Sequence, residues 1–452
     1  MPSPRARANA FDRSRPVDVR LVVLIGPSVL DNADDNLIEY VAELAAFEGI
    51  EIWALSTDPD RRRELAERDV QTGFIREDDS YYSFHTPGRS HLLPTSGHVQ
   101  LRYREHAAGS LNWWQEQVIL DFDDGVDLVV GDPTAIAAMR KSPRSDDYVT
   151  LSEAEQRIRL FLVSRERPQI LPRYFVNEGF YFLIRVRMMC PELAKAYVRL
   201  QTARDTEASG DIATQLQSLL TRLEFLLEAT DRTLIECLKS PNNDTESRAL
   251  YHLSYQLVLA AAVLEDLAWL LAFHYGLALR RMSVTLRRTA RGWSDLVKTL
   301  ESTAPMVFSV LVDVDAQEFL FGIFEIRDQI QHRDHPQPIG HEIHGVGRAR
   351  GHIELPRDPV VAVGKWAGVP IRVFEGLPGR TSALIDPYTL ALGVQRGMAK
   401  MVNSLLSAIP WSQKFVTLES EQRATVIASH DRWNQDPETV FDLPRLCRLH
   451  QP

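Results

Sequence analysis

The stretch LVVLIGPSVLDNADDNLIEYVAELAAFEGIEIWALS, residues 21–56, decides how the first third of the chain is read. It opens with LVVLIG, a continuous apolar run of strand length, and passes into LIEYVAELAAFEG (37–49), where apolar residues return at helical spacing up to Gly49. IEIWALS (50–56) is then a second strand. Strand, helix and strand in that order make a crossover that sets the two strands parallel. A later apolar run, VDLVVGDP (126–133), adds another strand, so residues 18–150 are expected to form a small α/β domain with a parallel sheet. Neither GxGxxG nor GKS/GKT accompanies it, and the usual dinucleotide and P-loop devices are therefore missing. Residues 81–106, rich in Gly, Pro, Ser and His, read as loops or a lid. His85, His91, His98 and His106 in that stretch do not fall at a metal-ligand spacing.

Working outward, residues 1–17 are Arg- and Pro-rich without an apolar core and read as a disordered tail rather than a secretory signal. The chain has 452 residues, 44% of them apolar, enough for two or three domains each with its own core. Its formal charge of −10 argues against a surface coated in basic residues, so any nucleic-acid site must be local. Cys190, Cys237 and Cys447 are too few and too scattered for a disulfide framework or a structural zinc site, which fits a reducing cytoplasm. Neither a metal nor a cofactor is implied.

After residue 150 the strand signals give way to helices. Ser152 and Glu155 form a capping-box signature at the head of LSEAEQRIRLFLVSR (151–165), and residues 151–209 read as a helical connector. Long helical patterns follow at 214–240, 249–276, 283–303 and 315–332, and helix returns at 386–408, with Asp386 as N-cap and Pro387 in the first turn. Residues 210–410 are thus expected to make an all-α bundle, interrupted at 345–380 by short β-like runs such as PVVAVG, with 411–452 as a tail. The expected fold class is α+β multidomain. The apolar stretch 257–273 carries Glu265 and Asp266 at its middle, which suits a buried helix of a soluble protein rather than a membrane span.

The chemistry-bearing element is FEIRDQIQHRDHP, residues 324–336. Arg327 offers a fork of donors for a phosphate, Asp328 can orient a partner, and His332 near a helix C-terminus is favoured in its protonated form. Five helical steps turn the chain by about 500°, leaving Arg327 and His332 roughly 140° apart, so they converge only if the helix loosens near His332. Pro336 would supply that loosening. Two other Arg/His pairs of similar spacing, Arg423/His430 and Arg445/His450, lie after the bundle and lack the following Asp. A bundle carrying Arg, a polar residue, three more residues and His near a helix end resembles the HEPN family. The resemblance, over roughly residues 210–410, implies a metal-independent endoribonuclease of toxin or phage-defence type that leaves a 2′,3′-cyclic phosphate. It further implies a homodimer that brings two motifs together, with Arg327 stabilising the phosphorane, His332 as general acid and base, and Asp328 as the polar residue after the Arg.

Arg280, Arg281, Arg287, Arg288 and Arg291 fall within twelve residues that hold no acid, and 280, 287 and 291 recur at helical spacing. Together with Arg333 they make a candidate phosphate track for RNA. Asp266 is a candidate second-layer residue behind the site, or one half of an interhelical ion pair. Two other readings are available: a non-catalytic HEPN-like dimerisation or nucleotide-binding module, and an N-terminal nucleotidyltransferase suggested by Gly109-Ser110 followed by Asp121 and Asp123. The α/β domain would meet an antitoxin or another regulatory partner.

Overall fold

The computed structural model describes residues 10–12, 20–31, 33–77, 81–86, 89–94, 126–133, 148–166, 168–172, 174–201, 207–280, 283–288 and 292–332, and then 338–339, 342–343, 347–348, 351–374 and 382–411. The chain is mixed α and β and divides into two compact units, residues 1–177 and 178–452.

The first unit is built on one sheet. Strands β1 (Leu21–Ile25), β2 (Ile50–Leu55), β3 (Gln71–Glu77), β4 (Tyr81–Thr86), β5 (Arg89–Pro94), β6 (Leu128–Val130) and β7 (Tyr148–Val149) lie in the order β5-β4-β3-β2-β1-β6-β7. β3, β2, β1, β6 and β7 are mutually parallel, with Leu21 opposite Ile50 and Val23 opposite Leu128. All five β1 side chains are buried, which is why that segment reads as an unbroken apolar run. Helix α1 (Asp35–Ala45) is N-capped by Asp34, whose carboxylate accepts from Leu37 N at 2.8 Å, and Gly49 at φ +91° makes the turn into β2. Helix α2 (Pro59–Glu67) follows β2.

Two sequence expectations are corrected in this unit. Residues 81–94 are not loop: β4 and β5 form an antiparallel hairpin that extends the sheet from β3. Helix α3 (Leu151–Ser164) starts two residues earlier than Ser152 and Glu155 suggested, because Thr150 and Glu153 make the reciprocal capping box. α3 packs on β1, β6 and β7, so the stretch read as a connector is divided: α3 joins the sheet, and the helices after 177 join the second unit.

The second unit is predominantly helical. Its helices are α4 (Glu178–Met189), α5 (Pro191–Gln201), α6 (Glu207–Leu238), α7 (Asn243–His274), α8 (Asp295–Thr303), α9 (Pro305–Val312), α10 (Val314–His332), α11 (Arg357–Ala367) and α12 (Pro387–Ser407). α6 and α7 form a long hairpin whose turn is fixed by Asn242, which caps α7 by accepting from Asp244 N and Thr245 N. α7 is the one described helix long and apolar enough to cross a membrane, and most of it is buried against its neighbours. The Asp386 cap and the Pro in the first turn of α12 are as expected from the sequence.

The expected 283–303 helix is broken. Helix begins only at Asp295, behind an irregular arm in which Val284 and Leu286 point inward while Arg288 points out. Gly276 (φ +63°) and Gly292 (φ +99°) bound the arm, and arginines at i and i+4 disfavour a helix through it. PVVAVG, read as β-like, lies inside α11: Val360 and Val363 are buried three apart, Val361 is exposed, and Gly368 closes the helix in the left-handed conformation. A short apolar run cannot by periodicity alone be told from a strand. Among the described residues, strand structure nearby is an antiparallel sheet of residues 338–339, 352–356, 382–385 and 373–374, in that order, and a short antiparallel pair of 342–343 with 347–348.

Candidate functional site

Glycines set the packing that presents the motif helix. A Cβ on Gly397 of α12 would lie 2.4 Å from the Phe319 ring of α10, and one on Gly322 would lie 2.6 Å from the Pro359 carbonyl oxygen at the start of α11. α10 can therefore press closely on both neighbours. Phe319, Ile323, Ile326 and Ile330 face inward, and this leaves the Arg327 side of the helix toward the 277–294 arm.

The arm is fastened to α10 by one side chain. Gln317 accepts from Arg288 N at 2.8 Å and donates to the carbonyls of Leu286 (3.0 Å) and Leu311 (2.6 Å). Ser294 closes the arm on itself by donating to Thr285 O at 2.7 Å while capping α8. This anchoring delivers the Arg287 guanidinium to 4.5 Å from the centre of the Phe324 ring, and Arg327 sits over the same ring at 5.3 Å. Two cations from segments forty residues apart in sequence thus share one buried aromatic ring. Arg327 Nε lies 2.8 Å from Asp328 Oδ1. Among the described residues, that carboxylate is the only one within ion-pairing distance of either arginine.

The other predicted residues fall as follows. Arg280 is exposed, and Arg288 lies over the Trp293 ring at 5.7 Å. Because the arm is not helical, the arginines do not form a helical stripe as expected; Arg287 and Arg288 are brought to α10 by the Gln317 anchor instead. Arg281, Arg291 and Arg333 lie outside the described residues, as do Gly109, Ser110, Asp121 and Asp123 of the nucleotidyltransferase reading. α10 stays helical through His332, its last residue, so the loosening that would turn His332 toward Arg327 does not occur within the helix.

Asp266 makes the interhelical ion pair that is the other reading of it. Its Oδ1 accepts from Arg222 at 2.9 Å and its Oδ2 from Ser218 at 2.9 Å, both on α6, while Glu265 beside it is exposed. Burial pushes the Asp266 carboxyl up from the ordinary carboxylate range, with Glu265 adding to the rise and the Ser218 hydroxyl and Arg222 charge opposing it. Sequence reasoning missed Phe324, although its place three residues before Arg327 on one helical face was a readable signal. It also missed Gln317, for which no sequence signal existed.

In the first unit the ends of β1, β2 and β6 meet where the strand order reverses, the place at which open parallel sheets bind ligands. The polar groups there bond to one another: Asp31 accepts from Ser56 Oγ, Thr57 N and Thr57 Oγ1, and Asp132 N donates to Ser28 Oγ. Among the described residues no group of three or more His, Cys, Asp or Glu is placed to hold a metal ion. Comparison with protein-family models, with curated proteins and with solved structures gives no match to the chain.

Proposed function

We propose that the helical unit is an RNA-binding domain of HEPN type that cuts RNA without a metal, in the cytoplasm, as a toxin or defence effector. The observation that carries this reading is the convergence of Arg287 and Arg327 on Phe324 with a single neighbouring carboxylate, which leaves surplus positive charge for a phosphodiester. Arg327 stabilises the charge that develops on the phosphorane, and His332 moves the proton. Because the backbone from Arg327 to His332 is regular helix, a geometry that sets positions five apart roughly 140° from each other, the working site takes its arginine and histidine from two copies of the chain.

The test is purified chain with RNA in EDTA. Cleavage is expected to persist, to leave 2′,3′-cyclic phosphate ends, and to fall by roughly 100-fold or more in Arg327→Ala and in His332→Ala. Undiminished cleavage in both variants refutes the reading. The regularity of α10 through His332 favours a second one, in which the same surface holds RNA or a nucleotide without cutting it. Binding without cleavage, lost in Arg287→Ala, would select that alternative.

A further inference from the structure

A groove of about 610 Å³ runs between α10 and α11 and is closed by the arm that carries Arg287, Arg288 and Trp293. Both helices present one face to it: α10 through positions 314, 317, 318 and 321, α11 through positions 358, 361, 362 and 365. That i, i+3, i+4, i+7 spacing on two neighbouring helices is the pattern by which a helix pair receives a third helix. Nothing among the described residues fills it. Val314 is 66% exposed, Phe321 54% and Val361 48%, so three large apolar side chains stand in solvent along one trough. Apolar surface gathered in this way marks an interaction site.

The charges are unequal. Lys365 is already engaged, 2.6 Å from Asp315 and 3.4 Å from Glu318. Asp358 lies in the first turn of α11, where a helix N-terminus favours an acid. Arg287 and Arg288 have no acidic partner among the described residues. Their guanidiniums instead each cover one face of Phe324 and Trp293, so a nucleobase would have to compete for those faces. An apolar trough with two uncompensated arginines on its wall suits an apolar helical face flanked by carboxylates.

We propose that this groove is the docking site for an amphipathic helix of a partner protein, apolar along one face and carrying acidic residues that pair with Arg287 and Arg288. The proposal shares Arg287 with the nuclease reading but uses neither Arg327 nor His332, so peptide binding in Arg327→Ala and in His332→Ala separates the failure of one from the failure of the other.

The experiment uses the full chain and two labelled synthetic helices of about 18 residues, five turns long. One has leucine along a single face and glutamate on the flanks; its twin has lysine for every glutamate. Fluorescence anisotropy is expected to show the acidic peptide binding at least about tenfold more tightly than the basic twin. Phe321→Asp and Val361→Asp should each weaken it by about tenfold or more. The Arg287→Glu/Arg288→Glu double variant should reverse the preference. All four positions are at least partly exposed, and unchanged melting curves would confirm that the variants fold.

Equal binding of the twins, no binding of either, or binding indifferent to Phe321→Asp overturns the proposal. A dimer in sedimentation that Phe321→Asp converts to monomer overturns it in favour of a second copy of the chain. Displacement of the peptide by a short single-stranded RNA whose own binding needs Phe321 overturns it in favour of RNA.

Discussion

Two arginines of the helical unit, Arg185 and Arg287, are each held against an aromatic ring, and their surroundings could hardly differ more. Arg185 on α4 is 2% exposed, lies 5.8 Å from the Tyr181 ring and donates to Asp231 Oδ2 of α6 at 2.6 Å, with Asp231 fully buried. Arg287 lies over Phe324 with no carboxylate to answer it among the described residues. The interior neutralises its cation with a buried acid, whereas the arm leaves its cation uncompensated at the surface. The first arrangement serves the fold, and the second leaves charge available to something outside the chain.

The largest effect that separates the two regions should come from Asp231→Ala, which strands Arg185 in the core. A loss of about 3–5 kcal/mol is expected in denaturant unfolding, against about 0.5 kcal/mol or less for Arg287→Ala. Similar losses in the two variants would mean that Arg287 is structural after all. A smaller effect is expected from Gly397→Ala. Its Cβ would meet the Phe319 ring, so a loss of about 1–3 kcal/mol should appear in the same measurement, and no loss would show that α10 and α12 can separate freely.

The smallest effect is one of pH. Asp266 is a buried acid whose folded-state pKa is raised, so the folded chain holds its proton more tightly than the unfolded chain does. Its ionisation therefore costs stability above the folded pKa, and that cost is relieved as pH falls through the folded pKa toward the unfolded value. Asp266→Asn should flatten this part of a stability-versus-pH curve measured by thermal melting. An unchanged curve would assign the slope to other groups. His252 works in the opposite sense: burial lowers its pKa, so acidification through the ordinary histidine range destabilises the fold.

These contrasts also explain what could be read from the chain and what could not. β1, α1, β2 and β6 were legible because a buried parallel strand is an apolar run and an amphipathic helix has its own period. The 81–94 hairpin was hidden by its Tyr, Ser, His and Thr residues, which resemble loop composition until paired with β3. The arm was misread because arginines at 280, 287 and 291 imitate helical spacing, while the alternation of Val284 and Leu286 that fixes the backbone is only two residues long. Within the candidate site, Arg327 and Asp328 were found from local order. The meeting of Arg287 with Phe324 depends on Gln317, and the Arg185–Asp231 pair on two helices 46 residues apart; neither has a local signature.

Gly322 has a consequence for how the groove behaves rather than for how the unit holds together. Phe321 beside it stands in the groove, and the Pro359 carbonyl approaches where a Cβ would otherwise be. The separation of the two helical walls is thus fixed by main-chain atoms and not by side chains that could change rotamer. A trough with its width set in this way is already shaped before anything enters it. A partner helix would then spend little of its binding free energy on ordering the receptor, and selectivity would rest on how well the incoming face matches a fixed gap.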